Sequence, residues 1–165
     1  MMLIDTNVLR VANGEAAQAS LECVISCTAL LQQVYEQGGL VLDEDGEILA
    51  EYSRNARANG QPGAGDAFLL QCLRNWANPA WCDLAAITPH DERGYEEFPD
   101  DSALISFDRS DRKFVAVARK HPARPAIHNA TDSDWAHPVH HRALVSHGVS
   151  IVFLCLDCVA APKIL

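Results

Sequence analysis

Four carboxylates stand where the chain is expected to pass between secondary-structure elements. Asp5 ends a short apolar segment at the N-terminus, Asp111 opens the segment DRKFVAVARK, and Asp132 follows the segment PAIHN. Glu51 lies within EILAEYSRN, on a helix expected after the apolar segment LVLD. If the apolar segments are parallel strands, Asp5 and Asp132 lie at the same edge of the sheet. The helix that Asp111 opens must begin near that edge for its carboxylate to join them.

Clustered carboxylates indicate a site for a divalent cation. Burial and neighbouring like charges both raise the pKa of a carboxyl group, so several are stable together mainly when a cation supplies positive charge. Mg²⁺ and Mn²⁺ prefer oxygen ligands. Such an ion makes a bound water more nucleophilic and stabilises the charge that develops on phosphate oxygens. The residue types therefore favour metal-assisted hydrolysis of a phosphodiester.

The elements that must position these residues follow from the apolar pattern. Short apolar segments alternate with stretches whose apolar residues recur every three or four positions, which predicts strands alternating with helices. Strands are expected at residues 3–4, 40–43, 83–88, 125–129 and 149–155, and helices at residues 16–37, 44–57, 66–78, 111–120 and 133–148. This alternation predicts one three-layer α/β domain over residues 1–165, with a central, mostly parallel sheet and helices on both faces.

Four segments resemble, in order, the motifs of the PIN-domain family of metal-dependent ribonucleases. LIDTNVLR is similar to the family's first strand, in which an acid is followed by Thr or Ser and Asn, and EILAEYSRN is similar to its second, helical motif. FDRSDRKFVAVA and NATDSDW resemble the third and fourth acidic motifs. The resemblance extends from residue 1 to about residue 155. Residues 59–106 form a longer and less regular region than a minimal member of the family needs.

The resemblance implies a role for each matched residue. The catalytic acids are expected to be Asp5, Glu51, Asp111 and Asp132. The ligands of Mg²⁺ or Mn²⁺ are expected to be Asp5, Asp111, Asp132 and the neighbouring Asp134. The residues expected to contact the substrate are Thr6, Asn7 and Arg112, the last as one of the basic residues that flank the acids and suit RNA phosphates.

Structural roles remain open for most of these residues. Capping of a turn or a helix N-terminus is an alternative for Asp5, Asp111 and Asp134. Pairing with Arg54 is an alternative for Glu51, and satisfying backbone groups is one for Thr6 and Asn7. Two of the four motif positions have a second candidate in the sequence: Asp108 competes with Asp111, and Glu47 with Glu51.

The resemblance implies an Mg²⁺- or Mn²⁺-dependent endoribonuclease with RNA as its substrate. It also suggests the toxin of a toxin–antitoxin pair, with an antitoxin protein as partner, and a homodimer is a further expectation. The main alternative is a catalytically inactive PIN-like module that binds protein or RNA. A third hypothesis is a phosphohydrolase with an aspartate nucleophile. This class requires a second Asp two residues after the first, and the sequence has Asn7 there, which argues against it.

Composition narrows the class of protein. The net charge of −9, from 22 acidic and 13 basic residues, argues against a broad basic surface for nucleic acid. No apolar run approaches the roughly 20 residues that cross a bilayer, and no signal peptide is visible, so a cytoplasmic protein without a membrane partner is expected. The six cysteines are expected to be reduced core residues. Cys23/Cys27 and Cys155/Cys158 each lack a second metal-binding pair at zinc-finger spacing.

Overall fold

The computed structural model describes residues 1–159 and is built around a five-stranded sheet. The strands, in chain order, are β1 (Met2–Ile4), β2 (Leu40–Asp43), β3 (Cys82–Ala85), β4 (Pro89–His90), β5 (Gly94–Tyr95), β6 (Ala126–Asn129) and β7 (Ile151–Phe153). The central sheet has the order β3-β2-β1-β6-β7, and all of its pairings are parallel. Strands β4 and β5 form a separate antiparallel hairpin.

Helices cover both faces of the central sheet. They are α1 (Thr6–Ala12), α2 (Leu21–Gln37), α3 (Glu47–Asn55), α4 (Ala64–Asn75), α5 (Arg112–Lys120) and α6 (Pro138–Ser146). Parallel strands need crossover connections, which are right-handed. The chain runs outward from β1 through β2 to β3, so α1 to α4 lie on one face. It then crosses to β6 and β7, which places α5 and α6 on the other face. Along residues 1–159, none of the helices has the length and apolar character needed to span a membrane.

The central strands are buried on both faces because both are covered by helices. Leu3 and Ile4 on β1 and Leu40 and Val41 on β2 have no exposed surface. This explains why these strands appear in the sequence as continuous apolar runs and not as alternating patterns. The predicted three-layer α/β architecture with a parallel sheet is therefore confirmed.

The first helix was not predicted from the sequence. Helix α1 begins at Thr6, and only Asp5 separates it from β1. The sequence therefore has no loop of Gly, Pro or Asn residues that would mark the change from strand to helix. The helix expected at residues 16–37 begins at Leu21, because the Ser20 hydroxyl accepts a hydrogen bond from the Cys23 amide at 3.2 Å and caps it. The strand prediction at residues 40–43 matches β2.

The region at residues 59–106 is only partly irregular. Its first part supplies α4 and β3, which belong to the helical layer and to the edge of the central sheet. The remainder, residues 86–106, holds the hairpin of β4 and β5 and a short 3₁₀ turn, Ser102–Leu104. The helix expected at residues 66–78 and the strand expected at residues 83–88 are therefore present as α4 and β3.

The prediction that all six cysteines are reduced is wrong. Cys23, in the first turn of α2, forms a disulfide with Cys155, which follows β7, and their Cα atoms are 5.3 Å apart. The two cysteines are 132 residues apart in the chain. Short-range cysteine spacing carries no information about a pair that is joined only by the packing of α2 beside the end of β7.

Candidate metal centre

The carboxyl ends of β1 and β6 form the crevice that holds the candidate site. These strands are neighbours, with Ile4 opposite His128, and the Asp5 amide donates to the His128 carbonyl at 3.0 Å. The strand order reverses direction at β1: the next strand in the chain, β2, lies on one side of β1, and β6 lies on the other side. The helices that follow the two strands lie on opposite faces, so they diverge and leave a crevice. Parallel α/β sheets bind ligands at such reversal points.

Asp5, Asp111 and Asp132 converge in this crevice and are called the acidic triad below. Each offers one carboxylate oxygen, and these oxygens lie within 4.8 Å of one another. Asp5 is 3% exposed and Asp111 is 6% exposed, whereas Asp132 is half-buried. Three of the four acids proposed from the sequence as catalytic residues therefore share one site, although they come from distant segments of the chain.

Three N–H donors orient the Asp5 carboxylate. Asp5 caps α1, and its Oδ1 accepts from the Asn7 backbone amide at 3.0 Å and from Asn7 Nδ2 at 2.7 Å. Its Oδ2 accepts from the indole Nε1 of Trp135 at 2.6 Å. Trp135 is fully buried and packs edge-on against Phe107. Since an ionised carboxylate can accept about four hydrogen bonds, this anchoring leaves room for a further ligand.

Asn7 joins the ends of β1 and β6. Its Nδ2 also donates to Asn129 Oδ1 at 2.7 Å, and its Oδ1 accepts from the Ala130 amide at 2.8 Å. Asn129 in turn accepts from the Asp132 amide at 3.2 Å and donates to the Asp132 carbonyl at 2.9 Å. Both donors and the acceptor of the Asn7 amide are therefore used within the protein. Asn7 therefore positions Asp5 and Asp132, and its expected contact with the substrate stays a prediction.

Asp111 carries a buried oxygen that has no partner. It ends the 3₁₀ turn Arg109–Asp111 directly before α5, but its side chain does not cap that helix. Its Oδ2 is buried and lacks a hydrogen-bond partner among residues 1–159. The competing Asp108 is exposed and accepts from the Ser110 amide at 2.8 Å, so it caps the turn. Asp111, and not Asp108, therefore lies in the acidic triad, and a bound cation would stabilise its unpartnered oxygen.

The charges of the acidic triad are not balanced by the protein. Burial, followed by the nearby carboxylates, raises the pKa of Asp5 to about 7 and that of Asp111 to about 10. Burial also raises the pKa of Asp132. Within the described part of the chain, no Lys, Arg or His side chain forms an ion pair with these three residues. Without a cation, the site therefore retains protons at neutral pH.

Glu51 lies beside the acidic triad, but both of its carboxylate oxygens have partners. The Thr6 hydroxyl donates to Oε1, and the ammonium of the buried Lys113 forms an ion pair with Oε2. The charge of Glu51 contributes to the raised pKa values of Asp5 and Asp111, so it is close to both. Its catalytic role stays a prediction. Thr6 uses its hydroxyl to hold Glu51, and its expected contact with the substrate stays a prediction.

Asp134 does not join the acidic triad. Its Oδ2 accepts from the Asp108 amide at 2.8 Å, and its Oδ1 lies 2.8 Å from Nδ1 of His140. His140 is buried, and its Nε2 lies 2.9 Å from the Ser106 hydroxyl. Asp134 therefore connects the loop after β6 to the turn before α5. Its oxygens are not among those that converge in the triad, so its expected role as a metal ligand stays a prediction.

Arg112 is buried, and its guanidinium is held by the protein. It is 5% exposed, and its guanidinium lies over the ring of Phe98 at 4.6 Å. Its N–H groups donate, at distances from 2.9 to 3.3 Å, to the carbonyls of Arg93, Leu104, Ile105 and Phe107. These donors face the protein backbone, which favours a structural role, and the expected contact of Arg112 with RNA phosphates stays a prediction.

Two residues that shape the site were not predicted from the sequence. Asn129 could have been found, because it is a polar side chain at the end of a buried strand, three residues before Asp132. Trp135 has no comparable signal, because the contact between its indole and Asp5 spans 130 residues of the chain.

The donor set fits a hard divalent cation. It offers carboxylate oxygens from three rigid segments, one buried oxygen without a donor, and no positive side chain paired with the triad in residues 1–159. Oxygen ligands of this kind suit Mg²⁺ or Mn²⁺ better than softer metals. The chain matches no protein-family model, no curated protein and no solved structure.

Proposed function

We propose that this chain is a PIN-like ribonuclease that hydrolyses phosphodiester bonds in RNA with Mg²⁺ or Mn²⁺ bound at the acidic triad. The observation that supports this most strongly is the convergence of three carboxylates in the crevice between β1 and β6, one of them with an unpartnered buried oxygen. The order of these acids along the chain, and the helical Glu51 between the first and second of them, agree with the family resemblance.

The residues of the site divide into ligands and residues that position them. Asp5, Asp111 and Asp132 would hold the ion, which when bound supplies an activated water and stabilises charge on the phosphate. Trp135 and Asn7 hold the Asp5 carboxylate in one orientation through their N–H groups. Such supporting hydrogen bonds tune the affinity of a metal site by roughly 10–100-fold.

Replacing a ligand tests the proposed activity directly. Cleavage of a mixture of unstructured and folded RNAs would be followed with Mn²⁺ and with EDTA, comparing wild type with Asp5→Asn and Asp132→Asn. We expect wild type to cleave only with the metal, and each variant to be slower by roughly 100-fold or more, because the amide removes a charged ligand.

Asp91→Asn is the matched control, because Asp91 is an exposed acid outside the acidic triad. It should cleave at the wild-type rate. If wild type is inert on all RNAs with Mn²⁺ present, or if the two triad variants cleave as fast as the control, the ribonuclease proposal fails. Inert wild type that still binds RNA or protein would favour the inactive module.

The narrower role as a toxin follows only from the family resemblance. It predicts that expression of the chain alone arrests growth and that co-expression with a neighbouring gene product restores it. Asp5→Asn should be harmless in both cases. Growth arrest that persists with Asp5→Asn would contradict a toxin that acts through this site.

A further inference from the structure

Four of the six cysteines meet at one place away from the acidic triad. Cys23 and Cys27 lie one turn apart near the start of α2. Cys155 precedes the short 3₁₀ turn Leu156–Cys158 that follows β7, and Cys158 ends this turn. The other two, Cys72 and Cys82, are buried on α4 and β3. The two pairs come from opposite ends of the chain, and the proposed ribonuclease activity uses neither of them.

The sulfur atoms of Cys23, Cys27 and Cys155 are closely spaced, whereas the Cys158 sulfur lies outside this group of three. Cys23 and Cys155 form the disulfide, and the Cys27 sulfur lies 4.0 Å from the Cys155 sulfur. The three sulfurs lie within 4.8 Å of one another. In a tetrahedral site with metal–sulfur distances of about 2.3 Å, neighbouring sulfurs are about 3.8 Å apart. The separation of Cys27 and Cys155 already has this value to within a few tenths of an ångström.

Cys158 is connected to the other three cysteines of this four-cysteine cluster through Ser20, the residue that caps α2. Its amide donates to the Cys155 carbonyl at 2.8 Å, which keeps the two residues in one turn. Its sulfur accepts from the Ser20 amide at 3.4 Å, and the Ser20 hydroxyl also accepts from the Cys23 amide at 3.2 Å. Ser20 therefore bridges Cys158 and Cys23, and the N-terminus of a helix stabilises thiolates.

We propose that, once the Cys23–Cys155 disulfide is reduced, the four-cysteine cluster binds one Zn²⁺ through four thiolates. The spacing within each pair, C-x₃-C on a helix and C-x₂-C in a turn, allows both sulfurs of a pair to bind one ion. Four thiolates in tetrahedral geometry form a closed structural zinc site. This site would join α2 to the segment after β7, which is the contact that the disulfide makes in the oxidised chain.

The two states of the cluster exclude each other. A dithiol reductant breaks the Cys23–Cys155 bond by donating two electrons and two protons, and is itself converted to a disulfide. Zinc then displaces four protons from the four thiols as it binds. Oxidation of Cys23 and Cys155 to the disulfide releases the zinc, because a disulfide sulfur is no longer a thiolate ligand. Zinc content therefore depends on the redox state of the chain.

Metal substitution in the full-length chain tests this inference. The protein would be reduced with a water-soluble phosphine, which is oxidised to the phosphine oxide as water supplies its oxygen and the two thiol protons. It would then be titrated with Co²⁺ and with Zn²⁺ under anaerobic conditions. We expect thiolate-to-cobalt charge-transfer bands, their loss on addition of Zn²⁺, and about one zinc per chain by elemental analysis. The oxidised chain should give no charge-transfer bands.

Cys27→Ser and Cys158→Ser are the informative variants, since both leave the disulfide intact. Each should weaken Co²⁺ binding at least tenfold and alter the charge-transfer bands, whereas Cys82→Ser and Asp5→Asn should match wild type. A reduced wild-type chain without charge-transfer bands would overturn the proposal, and so would variants that retain the wild-type bands. Binding of iron in place of zinc by the purified chain would overturn the choice of metal. If a variant fails to fold, the presence or absence of thiolate-to-cobalt bands in the reduced wild-type chain decides whether the zinc proposal holds.

Discussion

Asp43 and Asp111 are both buried carboxylates beside the start of a helix, yet their oxygens have different partners. Asp43 ends β2, and its two oxygens accept from the Glu47 and Ile48 amides at 2.7 and 2.8 Å. Capping α3 therefore uses both oxygens. The Oδ2 of Asp111 has no partner within the described residues. Position and burial alone do not distinguish a cap from a ligand, whereas the unpartnered oxygen does.

The raised pKa of Asp111 predicts how the metal-free chain responds to pH. Because the folded-state pKa is about 10 and the unfolded value is near 3.8, the folded chain binds more protons between these limits. The free energy of unfolding must then decrease as pH rises through this range. Asp111→Asn removes this cost, so at pH 8 in EDTA its melting temperature should exceed that of wild type by roughly 5 °C.

Thermal unfolding at pH 5 and pH 8, with EDTA or Mn²⁺, measures this effect. The advantage of Asp111→Asn should shrink at pH 5, and Mn²⁺ at pH 8 should stabilise wild type but not the variant. Asp91→Asn serves as the control for loss of one charge. A variant whose pH dependence equals that of wild type would show that Asp111 is ionised in the folded chain at pH 8.

At the scale of elements, α5 has to hold Asp111 at the crevice, and Arg112 fixes the first turn of this helix. Its guanidinium donates to four backbone carbonyls on the segments that precede α5. A buried arginine can make these bonds because its planar group carries five N–H donors, which a lysine does not have. The position of Asp111 therefore depends on a residue that takes no part in the proposed chemistry.

Replacing Arg112 tests this dependence. Arg112→Lys leaves several carbonyls without donors, so it should lower the free energy of unfolding by roughly 2–3 kcal/mol. Urea unfolding measures that change, and RNA cleavage should decrease with it. Arg109→Lys is the control, because Arg109 is exposed and donates to only two carbonyls, those of Asp91 and Glu92. Equal losses in both variants would mean that the buried network contributes little.

At the scale of the whole molecule, charge limits how the chain can approach RNA. The net charge is −9, and two of the basic side chains nearest the site are engaged internally, Arg112 with backbone carbonyls and Lys113 with Glu51. A protein without a broad basic surface gains little from the release of counterions that drives binding to nucleic acid. Bound metal therefore has to supply much of the positive charge that faces the phosphate.

This predicts that RNA binding depends on the metal even when no cleavage occurs. Affinity for a cleavage-resistant RNA analogue should be at least roughly tenfold weaker in EDTA than in Mn²⁺, because without the ion no positive charge at the acidic triad faces the phosphate. Fluorescence anisotropy at constant ionic strength measures the effect. Asp132→Asn should show a smaller difference between the two conditions than Asp91→Asn. Equal affinity with and without metal in wild type would locate the RNA surface away from the triad.

The sequence by itself determined the layered architecture and the first members of the site. Apolar runs such as that of β2 and the helical pattern of α5 are local properties, and their alternation predicts a parallel α/β sheet. Asp5 and Asp132 follow apolar segments, so their meeting at one sheet edge follows from the direction of the strands. For the acid near the start of α5, the sequence offered both Asp108 and Asp111 and did not exclude either.

Only the tertiary structure decided which side chains have free atoms and which distant residues meet. Thr6, Asn7 and Asp134 resemble site residues in the sequence, but their hydrogen bonds are made within the protein. Trp135 contacts Asp5, and Cys23 joins Cys155, across more than 100 residues in each case. Residue type and spacing describe neighbours along the chain, whereas these contacts depend on how helices and strands pack, and so no local pattern records them.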